Sequence, residues 1–250
     1  MEKNEWYVLT NPLSHQVLLR DLNFFYDTLS SVPENILLLN QRTALGQFDE
    51  YIKFHVISGR DKVEKYFKQQ RNGRRLGAQW VDFESLSLLH QLHPQELAEL
   101  LYLKHMTIPL NSPFYYKLRN QFVYLPVGPN VVKIYYRSWD VFYHQFAKAL
   151  CSRVELGLGE RRMTLNWKKN NNVKNSSVCM PSTDILMALS DFLREGVVLD
   201  FSQIQPNQKH VEVPIYLAED HLETSIKHRP NLNQLGTLTY HRGEKNWTLD

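Results

Sequence analysis

The sequence predicts an α+β protein, in which capped amphipathic helices accompany small antiparallel sheets, with hairpins near residues 121–137 and 235–249. Three observations lead there. Apolar residues recur at helical spacing behind cap residues in several segments. Short apolar or alternating runs, bounded by Pro, Asn and Gly, stand between them. Strictly alternating βα units, which a doubly wound parallel sheet would require, are missing from the pattern.

In chain order, EWYVLT opens as a short strand that Asn11-Pro12 breaks. Ser14 reads as the cap of a helix with Val17, Leu18, Asp21, Phe25 and Leu29 on one side. NILLLN, between Pro33 and Asn40, reads as a buried strand. From Thr43, the spacing of Leu45, Phe48, Ile52 and Val56 predicts a helix ending at Gly59. RDKVEKYF is an amphipathic helix, and RNGRRLG a glycine-containing loop.

HPQELAELLYLKHM is the clearest helix, with Glu96 and Glu99 near its start, Lys104 and His105 near its end, and Leu97, Leu100, Leu101 and Met106 as its buried stripe. Ser138 can cap a second helix carrying Trp139, Phe142, Phe146 and Leu150 on one face. Ser182 or Thr183 caps a third, with Ile185, Leu186, Leu189 and Leu193 inward and Gly196 at its end. GVVLDF and HVEVPIYLAE are strands, and LGTLTYHRGEKNWTLD is a hairpin turning near Arg242-Gly243.

The chain is expected to be one compact domain, 1–250, and the Asn-rich stretch 166–176 is a mobile loop where a subdivision could fall. Hydrophobic residues at 43% and charged residues at 22% exclude a disordered polymer. Cys151 and Cys179 are too few for a disulfide framework and match no metal spacing, so they are expected to be packing thiols in a reducing cytoplasm. No apolar run approaches the roughly 18 residues of a membrane span, and the N-terminus lacks an export signal's apolar region.

The net charge of +3 is mild, so only local clustering could specify a polyanionic partner. Residues 121–137, QFVYLPVGPNVVKIYYR, supply one cluster. If Gly128 and Val131 flank the turn, Val127 pairs with Val132, Leu125 with Ile134 and Val123 with Tyr136, giving one apolar face. The other face then joins Phe122, Tyr124 and Tyr135 with Lys133 and Arg137, as a platform for bases and phosphates would. A register one residue different would place Lys133 beside Leu125 and bury it. Pro126 argues for an edge on at least one side.

The second cluster is Lys68, Arg71, Arg74 and Arg75, extended by Lys62 and Lys65, where guanidinium forks suit phosphate oxygens. A third surrounds the Asn-rich stretch at Arg161, Arg162, Lys168, Lys169 and Lys174. Asp200 and Glu212, at a strand end and a strand later, are the one enzyme lead, a metal-assisted hydrolase or nuclease; Pro214 stands where such a nuclease would carry a lysine. His90, His93 and His105 straddle helix ends, without metal-binding spacing. No cofactor motif is present.

The sequence therefore predicts a non-catalytic cytoplasmic regulatory or adaptor protein that binds nucleic acid or an acidic protein surface. The alternatives are the hydrolase through Asp200 and Glu212, and a homo-oligomer that uses its surplus aromatic residues at a subunit interface.

Overall fold

The computed structural model describes residues 4–72, 78–105, 114, 117–128, 130–159, 178–206, 208–218 and 233–250. Strands β1 (Glu5–Asn11) and β2 (Gln16–Leu19) precede α1 (Phe24–Thr28), β3 (Asn35–Leu38), β4 (Gln47–Asp49) and β5 (Phe54–Ser58). Next come α2 (Arg60–Asn72), β6 (Trp80–Phe83), α3 (Leu86–Leu89), α4 (Pro94–His105), β7 (Phe122–Gly128) and β8 (Val131–Tyr136). The chain continues with α5 (Trp139–Gly157), α6 (Thr183–Glu195), β9 (Val197–Asp200), β10 (His210–Leu217), β11 (Gln234–His241) and β12 (Asn246–Leu249).

The expectation of small sheets is overturned. The strands form a twelve-stranded sheet in the order β12-β11-β10-β9-β1-β2-β8-β7-β6-β3-β5-β4. Its pairings from β2 to β4 and from β12 to β1 are antiparallel. By its internal contacts the chain divides into two compact units, one of Asn11–Phe142 and one of Met1–Thr10 with Tyr143–Asp250. The stretch 166–176 lies outside the described residues.

In the unit Asn11–Phe142 the central strands of the sheet are buried on both faces. Val81, Val123, Leu125 and Tyr135 look toward Leu89, Leu92, Leu100 and Leu103 of the α3–α4 region. Trp80, Phe122, Tyr124 and Tyr136 look the other way, onto Phe25 and Tyr26 of α1 and Phe67 of α2. Double coverage explains why β3 and β6 are buried at every position and show no alternation in sequence.

Two helices expected in this unit are not formed. Asn11, not Ser14, accepts the amides of Leu13 and Ser14 at 3.0 and 3.3 Å, capping a single 3₁₀ turn over Pro12–Ser14. The chain then enters β2, and only Phe24–Thr28 is helical. The Thr43–Val56 segment is the β4–β5 hairpin. Asp49 accepts the amides of Tyr51 and Ile52 at 2.9 and 3.2 Å, and Lys53 adopts a left-handed φ of 62°, which turns the chain back.

In the second unit the side chains alternate across β1 and β9–β12. Trp6, Val8, Leu199, Val211, Val213, Ile215, Leu238, Tyr240 and Trp247 are all buried, and the register aligns them rung by rung: Trp6 with Leu199, Val213 with Leu238, Tyr240 with Trp247. Trp6 and Phe201 meet edge-on at 5.0 Å. The opposite face of β10–β12 carries His210, Glu212, Thr239, His241, Asn246 and Thr248. Helix α6 forms as predicted: Ser182 Oγ accepts the Ile185 amide at 3.4 Å, and Gly196 ends it at φ 80°.

Candidate functional site

The α2 helix presents the described part of the basic cluster. Val63, Tyr66 and Phe67 are buried beneath it, which forces Arg60, Lys62, Lys65, Lys68 and Arg71 outward into solvent. Three of these five cations are ion-paired. Arg60 meets Glu34 at 3.5 Å, Lys68 meets Glu64 at 2.6 Å and Arg71 meets Asp27 at 2.8 Å. In each pair the cation is more than half exposed, so the pairs contribute little stability and exchange readily for another anion. Among the described residues, no ion pair engages Lys62 or Lys65. Arg74 and Arg75, like the third cluster from Arg161 to Lys174, lie outside the described residues.

The aromatic platform is not a surface. Phe122, Tyr124 and Tyr135 are 8%, 1% and 5% exposed. The turn itself is as predicted, with Gly128 paired to Val131 and Asn130 left-handed at φ 68°. A bulge between Pro126 and Gly128 then leaves Val127 unpaired and moves every later pair by one residue: Pro126 to Val132, Leu125 to Lys133, Tyr124 to Ile134, Phe122 to Tyr136. Phe122 and Tyr124 thereby share one face, and Tyr135 and Lys133 the other.

Lys133 sits between Leu125 and Leu18 of β2. It is half-buried, and burial lowers its ammonium below the ordinary lysine range. Arg137 is exposed, but its Nε donates to the Asn120 carbonyl at 2.5 Å and its guanidinium lies 5.0 Å from the Phe114 ring centre. Pro126 falls where β7 extends beyond its pairing with β6, which ends at Trp80–Tyr124; the expected free side is there.

Several aromatic residues of the unit Asn11–Phe142 build its interior. Trp80 and Tyr124 stack with ring centres 5.3 Å apart and planes 8° apart, Trp80 Nε1 donates to the Tyr26 hydroxyl at 3.2 Å, and the Tyr124 hydroxyl donates to the Leu22 carbonyl at 2.8 Å.

The two enzyme-lead carboxylates occupy different environments. Asp200 is buried, with Oδ1 accepting the Ser202 amide at 2.8 Å. Glu212 is exposed opposite Thr239, past the last β9–β10 pair, Leu199–Ile215. Among the described residues, no group of three or more His, Cys, Asp or Glu is arranged to hold a metal ion. His90 Nε2 contacts Asp49 Oδ2 at 2.6 Å, and the His93 amide donates to Glu96 Oε2 at 2.7 Å; His105 has no described side chain. In α4, Leu100 and Leu103 are buried while Leu101 is 51% exposed, so the expected stripe is rotated; Met106 lies outside the described residues.

One buried group escaped the sequence reading. Asp82 is 6% exposed at the end of β6, where its carboxylate accepts the amides of Gln121 at 3.0 Å and Phe122 at 2.6 Å. It takes over from the β6–β7 ladder, which stops at Val81–Val123. Burial pushes the carboxyl up to about 7, against the opposing pull of those amides and of Arg137. The available signal was an acid in WVDF at the inward position two residues after Trp80.

Comparison with family models, with curated proteins and with solved structures returns no match for this chain. Among the described residues, no helix is long and apolar enough to cross a membrane.

Proposed function

We propose that the chain is a non-catalytic regulatory or adaptor protein of the cytosol, and that it engages nucleic acid or an acidic protein surface through the outward face of α2. The observation that supports this is the row of exposed cations above a buried apolar stripe, with Lys62 and Lys65 one turn apart and engaged by no ion pair among the described residues. Burial of Phe122, Tyr124 and Tyr135 removes base stacking from the proposal. Recognition is then by charge, blind to base sequence. The free thiols Cys151 and Cys179 support the reducing compartment.

The test is anisotropy of a labelled DNA duplex and of labelled polyglutamate at low salt, for the parent and for Lys62→Glu with Lys65→Glu. These substitutions fall on exposed helix positions and leave Val63, Tyr66 and Phe67 in place. The proposal expects binding by the parent and at least a ~10-fold loss in the variant, since each reversal replaces an attraction with a repulsion of about 1 kcal/mol. Equal affinity of parent and variant for both probes sinks it.

A further inference from the structure

His210 and His241 face each other across β10 and β11. The register explains their closeness. The Arg242 amide donates to the Lys209 carbonyl at 2.9 Å. The rung after such a pair is the non-hydrogen-bonded one, where antiparallel strands bring Cα atoms to about 4.5 Å and side chains nearest. His210–His241 is that rung.

The two Nδ1 atoms are 2.9 Å apart at the surface, and the rings meet edge-on with centres 5.1 Å apart. His241 Nε2 is hydrogen-bonded to Thr248 Oγ1 on β12 at 3.0 Å, which fixes that ring. Glu212, two residues along β10 from His210, is exposed on the same face.

We propose that His210 and His241 form a chelating site for a divalent transition-metal ion of the copper(II) or nickel(II) type. In the metal-free chain the 2.9 Å contact requires one ring to carry its proton on Nδ1 and the other to offer a lone pair. A metal ion takes the place of that proton, which leaves to solvent; the rings meet end to end along the Nδ1–Nδ1 line, so the His210 ring tilts to bring both lone pairs onto one centre. With metal–nitrogen bonds of about 2.0–2.1 Å, nitrogens this far apart subtend about 90° at the metal. That is the cis angle of tetragonal or octahedral coordination, narrower than the tetrahedral angle of structural zinc sites. Water fills the remaining positions, and the neighbouring Glu212 charge favours a cation. Thr248 holds one ligand ring in place, the role outer-sphere partners play in metal sites.

The full-length chain is titrated with copper(II) chloride by calorimetry, and the copper form is examined by electron paramagnetic resonance at one equivalent. One strong equivalent coupled to two ring nitrogens is expected. His210→Ala and His241→Ala each weaken it by at least ~10-fold, the cost typical of disturbing even an outer-sphere partner, and each removes one nitrogen coupling. His210→Gln, which keeps a polar strand residue, gives the same loss. A spectrum and affinity unchanged by the double alanine variant place the copper on other histidines and overturn the proposal, as does a parent that binds no copper.

Discussion

Lys133 pairs with Leu125 across the β7–β8 hairpin, and with Leu18 on its other side. A lysine between two leucines keeps its ammonium hydrated by extending its stem over apolar surface. Burial still disfavours its charge. Lys133→Met keeps the stem and removes the charge, so stability in urea should rise by about 0.5–1 kcal/mol. A loss of similar size contradicts the pairing.

Asp82 gives the protein a pH dependence with a definite sign. Its carboxyl is held at about 7 in the folded chain, above the ordinary 3.8. The folded state therefore keeps a proton that the unfolded state releases across that window. This contribution favours folding in full below the unfolded value and is lost as pH rises through about 7, with a slope of at most about 1.4 kcal/mol per pH unit. Asp82→Asn keeps an oxygen for the Phe122 amide and cannot ionise, so urea unfolding should lose this slope between pH 4 and pH 7. Parallel parent and variant curves would contradict the assignment.

Tyr124 contributes a stacked ring and one hydroxyl. Tyr124→Phe leaves the Trp80 stack intact and strands the Leu22 carbonyl, for a cost of about 1 kcal/mol. Phe25→Ala opens a hole among Trp80, Phe122 and Tyr124 and costs about 3–5 kcal/mol. Thermal or urea unfolding followed by tryptophan fluorescence separates the two magnitudes.

The thiols should react unequally. Cys179 is exposed, whereas Cys151 is buried, with its Sγ 3.4 Å from the Cys179 carbonyl and its ionisation pushed up to about 12 by burial. Ellman's reagent at pH 8 should titrate one thiol rapidly in the native protein and the second only in denaturant. Rapid reaction of both would contradict the packing around Cys151.

The elements legible in the sequence included the helices α2, α4, α5 behind Ser138 and α6 behind Ser182, the strands β1, β3, β9 and β10, and the β11–β12 hairpin. The Thr43–Val56 segment misled because four apolar residues at helical spacing equally suit two very short strands joined at Lys53, and only the left-handed backbone there distinguishes them. The β7–β8 register misled for a different reason. Keeping Lys133 out of the core was the physical rule applied, and the chain satisfies it by half-burying the lysine after a bulge at Val127. The strands β3 and β6, covered on both faces, offer no alternation from which a large sheet could be inferred. The His210–His241 contact was invisible until the β10–β11 register joined two distant segments.

The most direct test of the proposed function is the salt dependence of duplex DNA binding by the full-length chain. If the α2 cations engage phosphates, log affinity falls linearly with log salt, with a slope of about −0.9 for each phosphate neutralised. Lys62→Gln with Lys65→Gln should make that slope shallower by about two such steps. An affinity that does not change with salt, or a slope identical in parent and variant, would contradict the account.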